Sequence, residues 1–307
     1  MVDAPYPRVH VVINPASGKD EPILNVLNDV FRSHGVTWDC TVTHAYGDAT
    51  KQAKAAIADG VDLVVGYGGD GTQHELANAL VSAGVASGRT TPMGILPGGT
   101  GNGFAREMGV PGTLREATEL LCTSTATRSI DVGWLRRLGQ QQVDDRYFIQ
   151  RLYIGIEPEE QTSRELKDRY GVFAYAVAAV SRRSTHPPAL YHADVDGEKG
   201  DFHGTKVYIV NSGMMGTGLK VTHTYAIDDG LLDCFLLDTE SHETLVAAAA
   251  RFLNLHTEEA GKFFRQASSV SLDVEPDQPV WADGEYIGRT PVEIEVLPGA
   301  LTVVVAA

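Results

Sequence analysis

The sequence predicts an α/β domain followed by a mainly-β domain, and three observations carry that reading. Short apolar segments alternate with segments of helical periodicity through the first 134 residues. Beyond Leu135 strand-like segments dominate. Between the two halves, Arg136 to Asp145 is polar and contains Gln140-Gln141-Gln142, the composition of a hinge or hairpin loop.

The elements follow in order. Arg8–Ile13 is a short apolar strand that ends at Asn14-Pro15. Pro22–His34 places Ile23, Leu24, Val26, Leu27, Val30 and Phe31 at helical spacing. Trp38–Thr43 reads as a strand, Thr50–Ala58 as an alanine-rich helix and Leu63–Gly66 as a buried strand. A helix from about Gln73 to Val81, a strand at Met93–Leu96, a helix near Leu114–Leu121 and a strand at Ser129–Trp134 complete the run. Such alternation implies a parallel sheet covered on both faces, whose ligands bind where loops leave the carboxyl ends of strands. In the second half, strands are expected at Tyr147–Ile154, Leu190–Val195, Lys206–Asn211, Leu231–Leu237, Val270–Val274, Val280–Ala282 and Leu301–Val305. Helices at Ser163–Arg183 and His242–Leu253 interrupt them.

Composition narrows the function classes. Of 307 residues, 43% are hydrophobic and 21% charged, an ordinary globular balance. A formal net charge of −15 disfavours nucleic acid and anionic membranes as partners of the whole surface. Contact with an acidic lipid surface would need a local basic patch, and Arg164, Lys167, Arg169, Arg182 and Arg183 offer either that or a solvated helix face. Three widely spaced cysteines, Cys40, Cys122 and Cys234, suit a reducing cytosol and fit neither a disulfide framework nor a zinc site. The N-terminus lacks a signal-peptide pattern, and apolar runs such as Val172–Val180 span about half of a membrane helix. A cytoplasmic protein without a transmembrane segment is expected.

Chemistry concentrates in three loops. Gly68-Gly69-Asp70-Gly71-Thr72 follows a strand and opens a helix, where free N–H groups and the helix dipole favour phosphate. Thr72 with Glu75 matches a capping box, so a plain strand–helix turn is the simpler alternative. Asp70 argues against it: an acid beside a phosphate makes sense when Mg²⁺ intervenes or a hydroxyl is polarised. Pro97-Gly98-Gly99-Thr100-Gly101-Asn102-Gly103 follows the next strand, so two glycine-rich loops face one crevice. Asn14-Pro15-Ala16-Ser17-Gly18-Lys19 adds amide and hydroxyl donors and a lysine. Neither a GxxxxGK[ST] stretch nor a GxGxxG fingerprint after the first strand is present.

These loops resemble the nucleotide-site loops of the diacylglycerol kinase catalytic family, which includes soluble bacterial diacylglycerol kinases and sphingosine and ceramide kinases. Asp228-Asp229-Gly230-Leu231-Leu232-Asp233 and Asp283-Gly284-Glu285 are similar to two later signatures of that family, in the same order. The resemblance implies a doubly wound α/β nucleotide-binding domain at 1–134, completed by a final strand at about 299–307, and a β-sandwich-like lipid-acceptor domain at 135–298. It implies ATP and Mg²⁺ as cofactors and the hydroxyl of a lipid as acceptor, reached at a membrane surface by transient, peripheral association. Carried over by position, Asn14, Pro15, Ala16, Ser17 and Gly18 would touch the nucleotide phosphates with Thr43 nearby. Gly69, Asp70, Gly71, Thr72, Gln73, His74, Glu75 and Thr100 would form the rest of the ATP pocket. Asp229 with the carbonyls of Ala226 and Leu231 would bind Mg²⁺, Glu285 would be the general base and Asp70 its acidic companion. Asp131 and Arg106 would lie on the acceptor side.

Simpler readings stand beside several of these. Asp283-Gly284 is also a hairpin-turn signal, and Asp196-Gly197-Glu198 repeats the tripeptide in what reads as an ordinary turn. Asp228-Asp229 could be a solvated turn, and Tyr170, Phe173, Tyr175 and Val177 could be core or lipid groove. The chain departs from the family at Gly103, where an acid is usual, and at Gln150, where an asparagine is usual, so an altered acceptor is expected. A NAD or sugar-phosphate kinase, or a non-catalytic nucleotide- or lipid-binding regulator, are the alternatives. The identity of the lipid is open, and edge strands of the second domain would allow a homodimer.

Overall fold

The computed structural model describes residues 4–17, 20–138, 146–155, 188–212, 214–215, 219–220, 226–237 and 264–307. The expected helices at 163–183 and 242–253, the basic cluster, the candidate groove aromatics, Gly18 and Lys19 lie outside the described residues. The chain divides into two units, Met1–Ile130 with Gly299–Ala307, and Asp131–Pro298.

The first unit is built from β1 (Arg8–Ile13), α1 (Ile23–Ser33), β2 (Thr37–Val42), α2 (Asp48–Ala58), β3 (Leu63–Gly68), α3 (Asp70–Ser87), β4 (Met93–Pro97), α4 (Gly103–Glu107), α5 (Leu114–Thr123) and the start of β5 (Thr127–Arg137). Buried runs without alternation, Val9–Ile13 and Leu63–Gly68, mark strands covered on both faces. The parallel strand order is β2-β1-β3-β4, so the chain reverses its direction across the sheet between β1 and β3. Helices occupy both faces: α1, burying Leu27, Val30 and Phe31, packs with α5, and α2 packs with α3. A side-chain N-cap opens α5, where Thr113 Oγ1 accepts the Glu116 N–H at 3.3 Å and donates to Glu116 Oε2 at 2.6 Å.

The second unit carries the end of β5, then β6 (Arg146–Phe148), β7 (Arg151–Ile154), β8 (Ala189–Val195), β9 (Glu198–Gly204), β10 (Lys206–Val210), β11 (Met214–Met215), β12 (Leu219–Lys220), β13 (Leu232–Leu237), β14 (Phe264–Ala267), β15 (Ser269–Glu275), β16 (Pro279–Ala282), β17 (Glu285–Arg289) and most of β18 (Val292–Val304). One antiparallel sheet here runs β18-β15-β8-β9, and a second runs β14-β13-β10-β7-β16-β17. Tyr191, Leu272 and Ile294 of the first and Leu152, Ile209 and Val280 of the second share one buried cluster. This is sandwich-type packing. β18 ends in the first unit, where Val303 pairs with Met93 in parallel. There Ser124 Oγ donates to Val305 O at 2.6 Å and the Val305 N–H to Ala126 O at 3.1 Å.

Local differences from the sequence reading have physical causes. The single strand expected at 147–154 is two, because the N–H groups of Ile149, Gln150 and Arg151 turn away to bond the Asp283 carboxylate. α3 is longer at both ends than the apolar pattern of 73–81 and stops at Gly88 in the left-handed region. α4, a five-residue helix, is too short for periodicity to announce. β9 is polar and largely exposed, so no alternation marks it.

β5 and β6 meet where Gly133 opposes Phe148, and a Cβ on Gly133 would fall 2.1 Å from Phe148 Cζ. Phe148 is fully buried, so the ring has no space into which to withdraw. Gly133→Ala is therefore expected to cost about 1–3 kcal/mol in chemical denaturation, with partial recovery on adding Phe148→Leu. A variant as stable as the parent would refute this packing account.

Candidate active site

In the first unit, three loops leave the carboxyl ends of β1, β3 and β4 at the point where strand order reverses. Open α/β sheets bind ligands at such points. The loops are tied to one another by backbone and amide groups. Asn14 donates its N–H to Tyr67 O at 2.9 Å and its Nδ2 to Thr72 Oγ1 at 3.0 Å. Its Oδ1 accepts the Ala16 N–H at 3.0 Å, and its carbonyl accepts Ser17 Oγ at 2.7 Å, curling Pro15–Ser17 into one 3-10 turn. Pro15 and Ala16 are exposed on that turn.

The loops after β3 and β4 touch through backbone. Gly98 donates to Gly68 O at 3.0 Å, and a Cβ on Gly99 would stand 2.5 Å from Gly69 Cα. Asn102 adopts positive φ and closes its own turn, its Oδ1 accepting from Gly99 N at 2.9 Å. Asp70 then joins the two: Oδ2 accepts the Gly103 N–H at 3.1 Å and Oδ1 the Phe104 N–H at 3.0 Å. The acid thus caps the first turn of α4. Gly71 and Thr100 are exposed beside it.

Thr72 and Glu75 do not form the expected capping box. α3 begins three residues earlier, with Gly69 at its cap, and the Thr72 hydroxyl accepts from Asn14 instead. Glu75 Oε2 lies 3.4 Å from the Thr50 N–H. Thr72, Gln73 and His74 are all buried, Gln73 bonding Gly66 O at 3.0 Å and His74 adjoining Asn78. Thr43 is held by its N–H to Ile13 O at 2.9 Å. Arg106 is exposed on α4. One residue unforeseen in the sequence is Tyr67, buried against Gly98 and donating to Glu21 Oε1 at 2.8 Å. Burial first, then the Glu21 partner, pushes its phenol pKa up.

In the second unit a separate polar cluster forms. Asp131, 2% exposed, accepts the Gly230 N–H at 2.6 Å, and its own N–H bonds Ile227 O at 2.7 Å. The turn at 226–231 is thereby fastened to β5. Ala226 and Leu231 flank the exposed Asp229, whose Oδ1 accepts the Leu231 N–H at 3.0 Å. Partial burial raises the Asp229 pKa, opposed by that N–H and reinforced by the neighbouring Asp131 and Asp228. Among the described residues no group of three or more His, Cys, Asp or Glu side chains is arranged to hold a metal ion. The turn at 226–231 offers the Asp229 carboxylate and main-chain carbonyl oxygens, and oxygen ligands are the kind that Mg²⁺ or Ca²⁺ takes together with water.

The two Asp-Gly-Glu tripeptides have the same local form. Asp196 and Asp283 have φ of 51° and 48°, followed by Gly197 and Gly284 at 86° and 92°. In each, the aspartate N–H bonds a carbonyl of a neighbouring segment while the carboxylate accepts that segment's N–H groups. What differs is the glutamate. Glu198 is exposed and pairs with Arg265 at 2.8 Å, whereas Glu285 is half-buried at the start of β17, beside the Asp283-anchored turn 149–151.

Residues 8–135 match the family model described as "Diacylglycerol kinase catalytic domain", and residues 152–305 the one described as "YegS C-terminal NAD kinase beta sandwich-like domain". The chain belongs to this diacylglycerol kinase family. It is a kinase of the diacylglycerol kinase/YegS type. The diacylglycerol kinase of Bacillus subtilis (strain 168) is 28% identical over 295 residues, spanning 93% of this chain and 92% of that one. A Salmonella typhimurium protein named "Probable lipid kinase YegS" is 27% identical over 304 residues, with 97% and 96% covered. A diacylglycerol kinase crystal structure from Bacillus anthracis has the same fold, with a TM-score of 0.74 and 24% identity across 99% of this chain and 98% of that one.

Two outcomes check this kinase's site geometry. Gly99→Ala forces a Cβ against backbone and should cost about 1–3 kcal/mol, whereas Gly69→Ala meets Gly99 Cα at an ordinary 3.4 Å and should cost less. Equal melting temperatures for the two variants would contradict the contact. For the exposed duplicate turn, burial pushes the Asp196 carboxyl up, but the Ser268 hydroxyl and the N–H groups of Ser269 and Ser268 hold it below the ordinary value. A lowered folded-state pKa contributes stability above the unfolded value of about 4, lost as pH falls through the lowered one. Asp196→Asn should thus be less stable near neutrality and lose stability less steeply below about pH 4. Parallel melting curves from acid to neutral pH would exclude that role.

Proposed function

We propose that this kinase transfers the γ-phosphate of ATP to the hydroxyl of a lipid such as diacylglycerol, working peripherally at a membrane surface. The observation that carries the nucleotide half is the convergence of three backbone-lined loops at the strand reversal between β1 and β3. Asn14 through Gly18, Gly69 through Glu75 and Thr100 would hold the triphosphate, with Thr43 beneath. The buried Thr72, Gln73 and His74 would act by shaping the loop from below rather than by touching the nucleotide. Because phosphoryl transfer needs mainly alignment and charge neutralisation, backbone donors and a few carboxylates suffice.

Glu285 is the general base in this reading. Its carboxylate takes the proton of the lipid hydroxyl as that oxygen bonds the γ-phosphorus and the bond to ADP breaks, leaving ADP and a phosphorylated lipid. Asp70 serves beside the reacting phosphate, and its bonds to Gly103 and Phe104 keep the carboxylate oriented. Asp131 and Arg106 belong to the acceptor side. Asp229, with the carbonyls of Ala226 and Leu231, would hold Mg²⁺. Bound there, the ion would supply positive charge against Asp131, Asp228 and Asp229. No helix among the described residues is long and apolar enough to cross a membrane. A soluble-acceptor kinase is the second reading, favoured by the NAD kinase likeness of the family matched at residues 152–305.

Labelled ATP offered with mixed lipid micelles, with products identified by mass spectrometry, is expected to yield a phosphorylated lipid. Glu285→Gln should fold normally and lose at least about 100-fold in kcat. Phosphate appearing only on a water-soluble acceptor, or a Glu285→Gln variant of near-parental turnover, would defeat the proposal.

A further inference from the structure

Tyr67 lies one residue before the end of β3, the strand between β1 and β4 in the parallel sheet. Its register partners are Ile13 on one side and Leu96 on the other, so the loops after β1 and β4 leave the sheet beside it. Successive side chains of a strand point to opposite faces. A Cβ on Gly66 would meet Gln73 and Leu76 of α3, so Tyr67 points to the face that α3 does not cover. There it holds the β1–α1 connection at two places. Its carbonyl accepts the Asn14 N–H at 2.9 Å, and its hydroxyl donates to Glu21 Oε1 at 2.8 Å. Its ring also carries the loop after β4. A Cβ placed on Gly98 would fall 2.8 Å from both Cε1 and Cζ of Tyr67 and 3.0 Å from Ser17 Oγ. The ring, the Ser17 hydroxyl and Gly98 therefore meet at one point.

The chemistry of that contact is specific. Tyr67 is 1% exposed, and a ring packed that tightly does not shift without moving its neighbours. A buried phenol needs a partner for its hydroxyl, and a carboxylate makes a stronger acceptor than a neutral oxygen. Burial, then Glu21, pushes the phenol pKa up, so the hydroxyl stays a donor near neutral pH. Packing of β3 would be served as well by phenylalanine; what the hydroxyl adds is the attachment of Glu21. That half-buried residue stands just before α1, outside the core, so the bond fixes the path of the loop.

We propose that Tyr67 is a positioning residue for the nucleotide: it sets the spacing between the loops after β1 and β4, and through them the fit to the triphosphate. The inference rests on the ATP-site reading above and adds a residue which that reading does not use. Buried as it is, Tyr67 acts through Asn14, Ser17 and Gly98 rather than by contact with ATP. Loops that grip phosphate with backbone and hydroxyl donors must hold those donors at fixed distances, so a small displacement of one loop weakens every bond it makes. A tyrosine that only fills the core predicts something else: a change in stability without a change in affinity.

The test measures ATP binding by titration calorimetry to the full-length parent, Tyr67→Phe, Glu21→Ala, Glu21→Gln and the double variant Tyr67→Phe/Glu21→Ala, with lipid-kinase kinetics in parallel. Tyr67→Phe and Glu21→Ala should each raise Kd for ATP about 10-fold at unchanged binding stoichiometry. The double variant should bind no more weakly than either single one, because both remove the same bond. Glu21→Gln, whose amide oxygen still accepts from the phenol, should fall between the parent and Glu21→Ala. KM for ATP should follow Kd, while KM for the lipid keeps its parental value. A parent that binds no ATP overturns the nucleotide-site reading and this inference with it. A parent that binds ATP, with Tyr67→Phe at the parental Kd, would overturn the Tyr67 assignment alone. So would additive losses in the double variant, or a lower binding stoichiometry at the parental Kd, the mark of a role in folding only.

Discussion

Loops that serve a site cannot join a β-ladder, yet their N–H groups still need acceptors once water is excluded. In this protein aspartate supplies them repeatedly. Asp70 holds Gly103 and Phe104, Asp131 holds Gly230, Asp283 holds residues 149–151, and Asp196 holds Ser268 and Ser269. A carboxylate bonded to backbone amides fixes the loop to within one rotamer of a short side chain. The shape of each candidate site follows from these attachments.

The same device bears on the acidic composition. The 40 Asp and Glu residues give the surface its negative balance, but several of them point inward and neutralise partial charges of the backbone instead of facing solvent. Glycine works beside them for the opposite reason. Gly99 brings two loops into backbone contact because it has no side chain to press on Gly69, and Asp70 then locks the arrangement from the residue beside Gly69.

Much of the fold was legible. Parallel strands at Arg8–Ile13 and Met93–Pro97 and the helix Leu114–Thr123 follow from unbroken apolar runs and 3.6-residue spacing, signals that burial on two faces or one makes strong. The interruption of Tyr147–Ile154 was not legible, because its cause, Asp283, lies 132 to 134 residues away and acts on main-chain atoms that no side-chain pattern reports. Thr72 and Glu75 fit a capping box in sequence, but tertiary partners on Asn14 and Thr50 took both side chains. Thr113 and Glu116, which share the same spacing, do meet at a helix start, where the threonine side chain caps α5. As for the sites, the three loops stand together in the first unit, while Tyr67 matters through burial, which composition alone does not reveal. The paired Asp-Gly-Glu turns make the limit plain: three letters fix a turn, and only the surroundings distinguish Glu198 from Glu285.

The first unit is discontinuous in the chain: residues 299–304 lay the end of β18 beside β4 after the whole of the second unit has intervened. During synthesis the ribosome therefore releases the entire mainly-β segment before the parallel sheet can receive its last strand. The early part of the nascent chain must wait, with one sheet edge open, for a piece that emerges only after the second unit. Translational stalling or a premature stop near the C-terminus would consequently damage the N-terminal lobe, far upstream of the missing codons.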